Sequence, residues 1–252
     1  MSPFRKGFLY RRLAKFIPCV LPGIGKRGLS LESKYDIASA RDVFFSAHYW
    51  RLFEFLKVPP QLVVDLGAHC GHFSVLCHLV SMEKFGCDIA SYVLVEPVKS
   101  LLDRATSNLA AVEILQQSTI HRGLVGRRGG SAFLHTDQHN LLASKIKAAP
   151  SEIHSSPGVS IPYVDLNKVL PPAQPVDVLK IDIEGSEHSF LCEYADLLAR
   201  TRVLLIELHG NESEINTAHN GIIDSGLIPV STPIHRAEEA MRIYVSGFHS
   251  TH

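Results

Sequence analysis

A strand that stops on a glycine and runs straight into a helix constrains this chain more than any other feature. Residues 62–66 are a short apolar run rich in β-branched side chains, closed by Gly67. Beyond it, Phe73, Leu76, Cys77 and Val80 recur at i, i+3, i+4 and i+7, the spacing of one helix face. The alternation continues. Strands are expected over residues 91–95, 119–125, 176–183, 203–208, 227–231 and 241–246. Helices are expected over 98–115 and 212–225, with another carrying Phe190, Leu191, Tyr194, Leu197 and Leu198 on one face. Such alternation predicts an α/β fold: a mostly parallel sheet covered by helices on both faces.

The flanking segments are less regular. Ser39 is a candidate N-cap for a helix over 40–56, whose apolar face is Phe45, Tyr49, Leu52, Phe53 and Leu56 and which Pro59 and Pro60 stop. Gly126, Gly129 and Gly130 make a turn, after which residues 131–135 are expected to pair back as a hairpin. Residues 136–160 are polar and irregular. Residues 1–35 read as a basic arm and linker, and 36–252 as a single domain.

Charge divides the chain in the same place. Residues 1–31 hold seven basic residues and no acid, leaving 18 basic against 25 acidic in the rest, a net of −7. The body is therefore not expected to bind nucleic acid through bulk charge. Residues 4–17 can form a short basic amphipathic helix with Leu9, Leu13, Phe16 and Ile17 in a stripe, suited to a weak, salt-sensitive contact with an anionic membrane surface. With 46% hydrophobic and 20% charged residues the chain is globular, and no apolar stretch reaches the length of a membrane span. The five cysteines are scattered with no CxxC pair, which fits a reducing, cytoplasmic setting, and Cys70 and Cys77 read as small packed hydrophobes. Oligomeric state leaves no mark on the sequence.

Four segments carry chemistry. The first is residues 63–73, where Asp65, Gly67 and Gly71 give the spacing DxGxxxG. The second glycine of a dinucleotide fingerprint is Ala68 here, so the turn suits a nucleoside without a pyrophosphate better than NAD. The second is Glu96, an acid closing the 91–95 strand, where a carboxylate can take both hydroxyls of a ribose. The third is residues 176–191, in which Lys180 and Asp182 share one face of an apolar strand. Charges there are costly unless paired or functional. The fourth is residues 204–210, where Glu207 and His209 share a face. If the two strands are neighbours, Lys180, Asp182, Glu207 and His209 converge on one crevice.

These four segments, VVDLGAHCGHFS, VEP, VDVLKIDIEGSEHSFL and LLIELH in that order, resemble the FkbM-type S-adenosylmethionine-dependent methyltransferases. KIDIEG followed by an acid is the most specific of them. The resemblance covers about residues 50–230. It implies a class I methyltransferase (Rossmann-like) sheet of order 3-2-1-4-5-7-6 with the seventh strand antiparallel, and methyl transfer to a hydroxyl of a small molecule, sugar or glycan. His69-Cys70 departs from the family, where Asn followed by a hydrophobic residue is commoner. The cofactor implied is S-adenosylmethionine. Asp65, Gly67, Ala68 and Gly71 would shape the site of its methionine part, Glu96 would hold the ribose, and Leu124, within 123–125, would lie beside the adenine. Asp182 would sit between cofactor and acceptor, with His209 or Asp182 taking the acceptor's proton and Lys180 pairing the carboxylates or steadying an alkoxide. An unperturbed histidine near pKa 6.5 can accept a proton at neutral pH.

His135, Asp137 and His139, with His69 and His72, could supply metal ligands, but the resemblance implies no obligatory metal and none is expected. His139-Asn140 could instead cap the acceptor pocket. Two other readings compete: an NAD(P)-dependent oxidoreductase on a similar sheet, disfavoured by the glycine spacing, and a non-catalytic methyltransferase-like scaffold docked through the basic arm.

Overall fold

A computed structural model describes residues 29–45, 47–137, 140–147, 158–230, 234–236 and 239–247. The basic stripe at 4–17, His139 and the side chains of His135 and Asp137 lie outside the described part.

The chain opens with helices α1 (Lys34–Phe45) and α2 (Ala47–Arg51), then alternates β1 (Leu62–Leu66), α3 (His72–Phe85), β2 (Ser91–Glu96), α4 (Lys99–Ala111) and β3 (Ser118–Arg122). Strands β4 (Ser131–Asp137), β5 (Asn140–Lys147) and β6 (Val159–Pro162) follow, and α5 (Leu166–Val169) leads into β7 (Val176–Ile181). Helices α6 (Glu187–Glu193) and α7 (Ala195–Ala199), strand β8 (Thr201–His209), α8 (Glu212–Asp224), β9 (Leu227–Pro229), β10 (Ile234–Arg236) and β11 (Glu239–Ser246) complete it.

The main sheet has the order β10-β11-β8-β7-β1-β2-β3, with β9 also paired to β11. Strands β3, β2, β1, β7 and β8 run parallel, and β11 runs antiparallel to β8. Taking β9 as the sixth strand in order of appearance and β11 as the seventh, this is the implied 3-2-1-4-5-7-6 order. β1 and β7 are buried at every position, as the central strands of a two-sided sheet must be. Alternate residues feed two cores. Val63, Leu94, Val178 and Leu205 pack with Phe44, Tyr49, Phe73 and Leu109. Val64, Leu179, Ile181 and Ile206 pack with Phe190, Leu197, Ile215 and Ile222.

Three local expectations are corrected. Ser39 does not cap a helix at 40: α1 begins at Lys34, where Ser33 N–H donates to Asp36 Oδ2 (2.9 Å) and Asp36 N–H to Ser33 Oγ (3.2 Å), a reciprocal cap. Residues 131–135 do not fold back on β3. They pair with β5 and β6 in a separate antiparallel sheet, whose small core joins Ala132, Leu134 and Ile161 to Leu124. The 136–160 stretch, read as irregular, supplies β5 and the start of β6.

Candidate active site

The carboxyl ends of β1, β2, β7 and β8 bring the four motif segments together. Gly67 leaves β1 with φ +72°, and its N–H and that of Ala68 both donate to Val95 O, at 3.0 and 3.1 Å. A Cβ on Gly67 would stand 1.7 Å from the carbonyl oxygen of Asp182, so the turns after β1 and β7 touch backbone to backbone. Gly71 starts α3.

Asp65 and Lys180 are register partners on adjacent strands, and both are buried. Lys180 Nζ lies 3.5 Å from Asp65 Oδ1 and 3.4 Å from Asp182 Oδ2, and donates to Gly67 O at 2.6 Å. Burial works against the ammonium, but Asp182, Asp65 and Glu96 together hold its pKa above the ordinary lysine value. Burial pushes the Asp65 carboxyl up, against the pull of Lys180 and of the Ser74 hydroxyl that donates to its Oδ2 at 3.0 Å. Asp65 thus faces inward and anchors Lys180.

Glu96 closes β2 with 6% exposure. Its Oε2 accepts from His69 N–H and its Oε1 from Val98 N–H, each at 3.0 Å. One backbone donor per oxygen leaves each oxygen further lone-pair capacity, so the group fits a pair of ribose hydroxyls. Burial raises its carboxyl to about 7 despite those two N–H groups. Leu124 is 2% exposed, with its side chain in the small second core and its N–H and C=O engaged by Pro162 and Val164.

After β7 the chain reverses through Glu184 (φ +54°) and Gly185 (φ +94°). This puts His209, at the end of β8, 3.1 Å from Glu187 Oε1 through Nδ1 and 3.9 Å from Glu184 Oε2 through Nε2. Burial lowers the imidazole pKa, but the Glu187 hydrogen bond and the Glu187, Glu184 and Glu207 charges overcome it and raise it to about 9. These carboxylates favour the protonated imidazole over the free base that an unperturbed pKa near 6.5 implies. Lys180, Asp182 and His209 do converge, through Asp182. Glu207 is half-buried on β8, opposite Met241.

Two residues escape a reading of the sequence. Glu187 looks like a helix-opening acid. Tyr49 looks like one apolar position of a helix, yet its hydroxyl is pushed well above the usual range by burial and then by Asp182, Asp42, Glu207 and Asp65, which keeps it a protonated donor. A third group lies beneath the glycine turn. Cys70, expected as a packed hydrophobe, is fully buried but also donates to Asp36 at 3.4 Å, and burial holds it as a thiol. His72 Nδ1 meets Ser39 Oγ at 3.0 Å, and Cys77 is packed as expected. Among the described residues, Asp36, His69 and Cys70, and likewise Asp182, Glu184 and His209, bring ligand-type atoms within 4.8 Å of one another. No described helix is long and apolar enough to cross a membrane.

The magnesium protoporphyrin IX methyltransferase of Synechocystis PCC 6803, solved with bound SAM, is similar at 12% identity over 97% of this chain and 95% of that one (TM-score 0.49). A methyltransferase from Pyrococcus furiosus matches at 10% identity over 94% and 98% (TM-score 0.45). Fibrillarin of Aeropyrum pernix, with natively bound S-adenosyl-L-methionine, matches at 14% over 94% and 76% (TM-score 0.42). No curated protein sequence matches the chain. The family model for the methyltransferase FkbM domain matches residues 65–225, which take in the first motif segment from Asp65 onward and the other three whole. The chain belongs to the FkbM methyltransferase domain family.

Proposed function

We propose that the protein is an S-adenosylmethionine-dependent O-methyltransferase acting on a hydroxyl of a small molecule, sugar or glycan. The observation that carries this reading is the pairing of Glu96, a buried carboxylate with spare acceptor capacity, with the side-chain-free turn at Gly67 one strand away. The cofactor supplies a sulfonium-bound methyl group. Glu96 binds the ribose, the segment 123–125 that includes Leu124 lies beside the adenine, and Asp65, Gly67, Ala68 and Gly71 shape the methionine end. Asp182 takes the acceptor proton, because His209 already carries one, and Lys180 steadies the developing alkoxide. Alignment and water exclusion supply the rest of the rate.

Glu96→Ala is expected to weaken S-adenosylhomocysteine by about 2–3 kcal/mol, the scale of lost charge-assisted hydrogen bonds. The ionised carboxylate is the acceptor form. Affinity should therefore be full above the Glu96 pKa of about 7. Below it, affinity should decline by up to about tenfold per pH unit. Calorimetry across pH 5–9 checks both. Equal affinity in mutant and wild type removes Glu96 from the site, and preferential stabilisation by NAD revives the oxidoreductase reading. Isotope-labelled methyl transfer to a panel of sugars, glycans and RNA identifies the acceptor, and transfer to RNA alone overturns the acceptor class.

The basic segment 4–17 is proposed to make a weak contact with anionic membranes in a cytoplasmic setting. Co-sedimentation with anionic vesicles at low salt, abolished by deleting residues 1–18, is the expected result. Full-length protein that ignores such vesicles rules it out.

A further inference from the structure

Glu187 has no part in the reaction as described, yet it is wholly buried and makes three contacts through one oxygen. Its Oε1 accepts from the backbone N–H groups of Ile183 and Gly185, both at 3.2 Å, and lies 3.1 Å from His209 Nδ1. Two backbone donors mark this oxygen as an acceptor, so the proton between it and the imidazole sits on Nδ1. Nε2 is then the nitrogen on the side of Glu184. A helix-opening acid needs only the backbone contacts. The third one ties the turn after β7 to the last residue of β8.

We propose that Glu187 is a positioning residue: it fixes His209 with a proton on Nδ1 while Glu184, 3.9 Å from Nε2, favours a second proton on the other nitrogen, so that Nε2 is a hydrogen-bond donor and His209 orients the acceptor oxygen instead of deprotonating it. The donation to an acceptor rests on the methyltransferase reading; the state of the ring does not. The charged groups around His209 act in the same direction. They are Glu187 on α6, Glu184 and Asp182 in the turn after β7, and Glu207 on β8 itself.

Imidazole nitrogen NMR on the full-length, cofactor-free protein tests the proposal. In wild type, Nδ1 of His209 should be protonated and the ring should titrate near 9. Glu187→Gln should lower that midpoint by about one pH unit or more, since the charge is lost while the shape is kept, and Glu187→Asp should restore part of it. An unprotonated Nδ1 in wild type, which needs no variant to observe, would overturn the proposal, as would a midpoint unmoved by Glu187→Gln. S-adenosylhomocysteine calorimetry on the same samples separates the two ideas. Absence of binding with the expected titration sinks the methyltransferase reading and leaves the role of Glu187 in holding the ring intact.

Discussion

Gly67→Ala is expected to abolish measurable S-adenosylhomocysteine binding and to lower stability by more than about 3 kcal/mol. The left-handed backbone alone costs an alanine about 1–2 kcal/mol. The larger part comes from contact. The new methyl would sit 1.7 Å from Asp182 O, and separating the two turns breaks the Asp182 N–H to Leu66 O bond (3.1 Å) and the Lys180 bond to Gly67 O. Gly86 supplies the control. Its φ is +75°, but a Cβ there meets nothing within 4 Å. Gly86→Ala should therefore show only the conformational cost of about 1–2 kcal/mol. Urea unfolding of the two variants side by side measures the difference, and equal losses would show that the turns can part freely.

Lys180→Met should destabilise the protein by about 3–5 kcal/mol near neutral pH, because it leaves the fully buried Asp65 carboxylate without its counter-ion. The sign with pH follows from the carboxylate. Protonating Asp65 relieves the penalty, so the deficit should shrink on acidification, and adding Asp65→Asn should recover much of it. A variant as stable as wild type at neutral pH would mean the ammonium contributes nothing to the fold. Asp182 is a quarter exposed at its side chain, so Asp182→Asn should be milder for stability. Its expected effect is on turnover, lowered about 100-fold as for loss of a general base.

The parallel strands were legible because they are buried on both faces and so appear as unbroken apolar runs. β1, β2, β7 and β8 fall within two residues of the expected ends. β3 ends at Arg122 and not 125, because Gly123 turns and Leu124 bridges to Tyr163. Periodicity says nothing of that partner. β5 was hidden because NLLASKIK has neither strict alternation nor a continuous apolar run. The α1 start had a signal, Ser33-x-x-Asp36, which competes with the better-known Ser39 cap. In the site, the convergence of Lys180, Asp182 and His209 followed from strand parity once β7 and β8 were neighbours. The upward push on the His209 pKa did not, because it depends on Glu187, an acid brought there by a left-handed turn at Glu184 that residue identity alone does not announce.

The topology also dictates an order of events. β1 finds β2 after a single helix, but it finds β7 only across a gap of more than a hundred residues, with Lys180 standing 113 positions along the chain from the Gly67 carbonyl it binds. Closing so long a loop is entropically costly and slow, and parallel pairing offers no short hairpin to seed it. The half of the chain that holds Glu96 and the glycine turn can therefore collapse while Asp65 still has water around it. Only when β7 slots in beside β1 does that carboxylate lose its solvent and gain Lys180 in the same step. Lys180 is thus expected to act as the latch of the folding reaction, and a chain truncated before residue 180 is expected to keep a solvated Asp65 and an open central edge that invites a foreign strand.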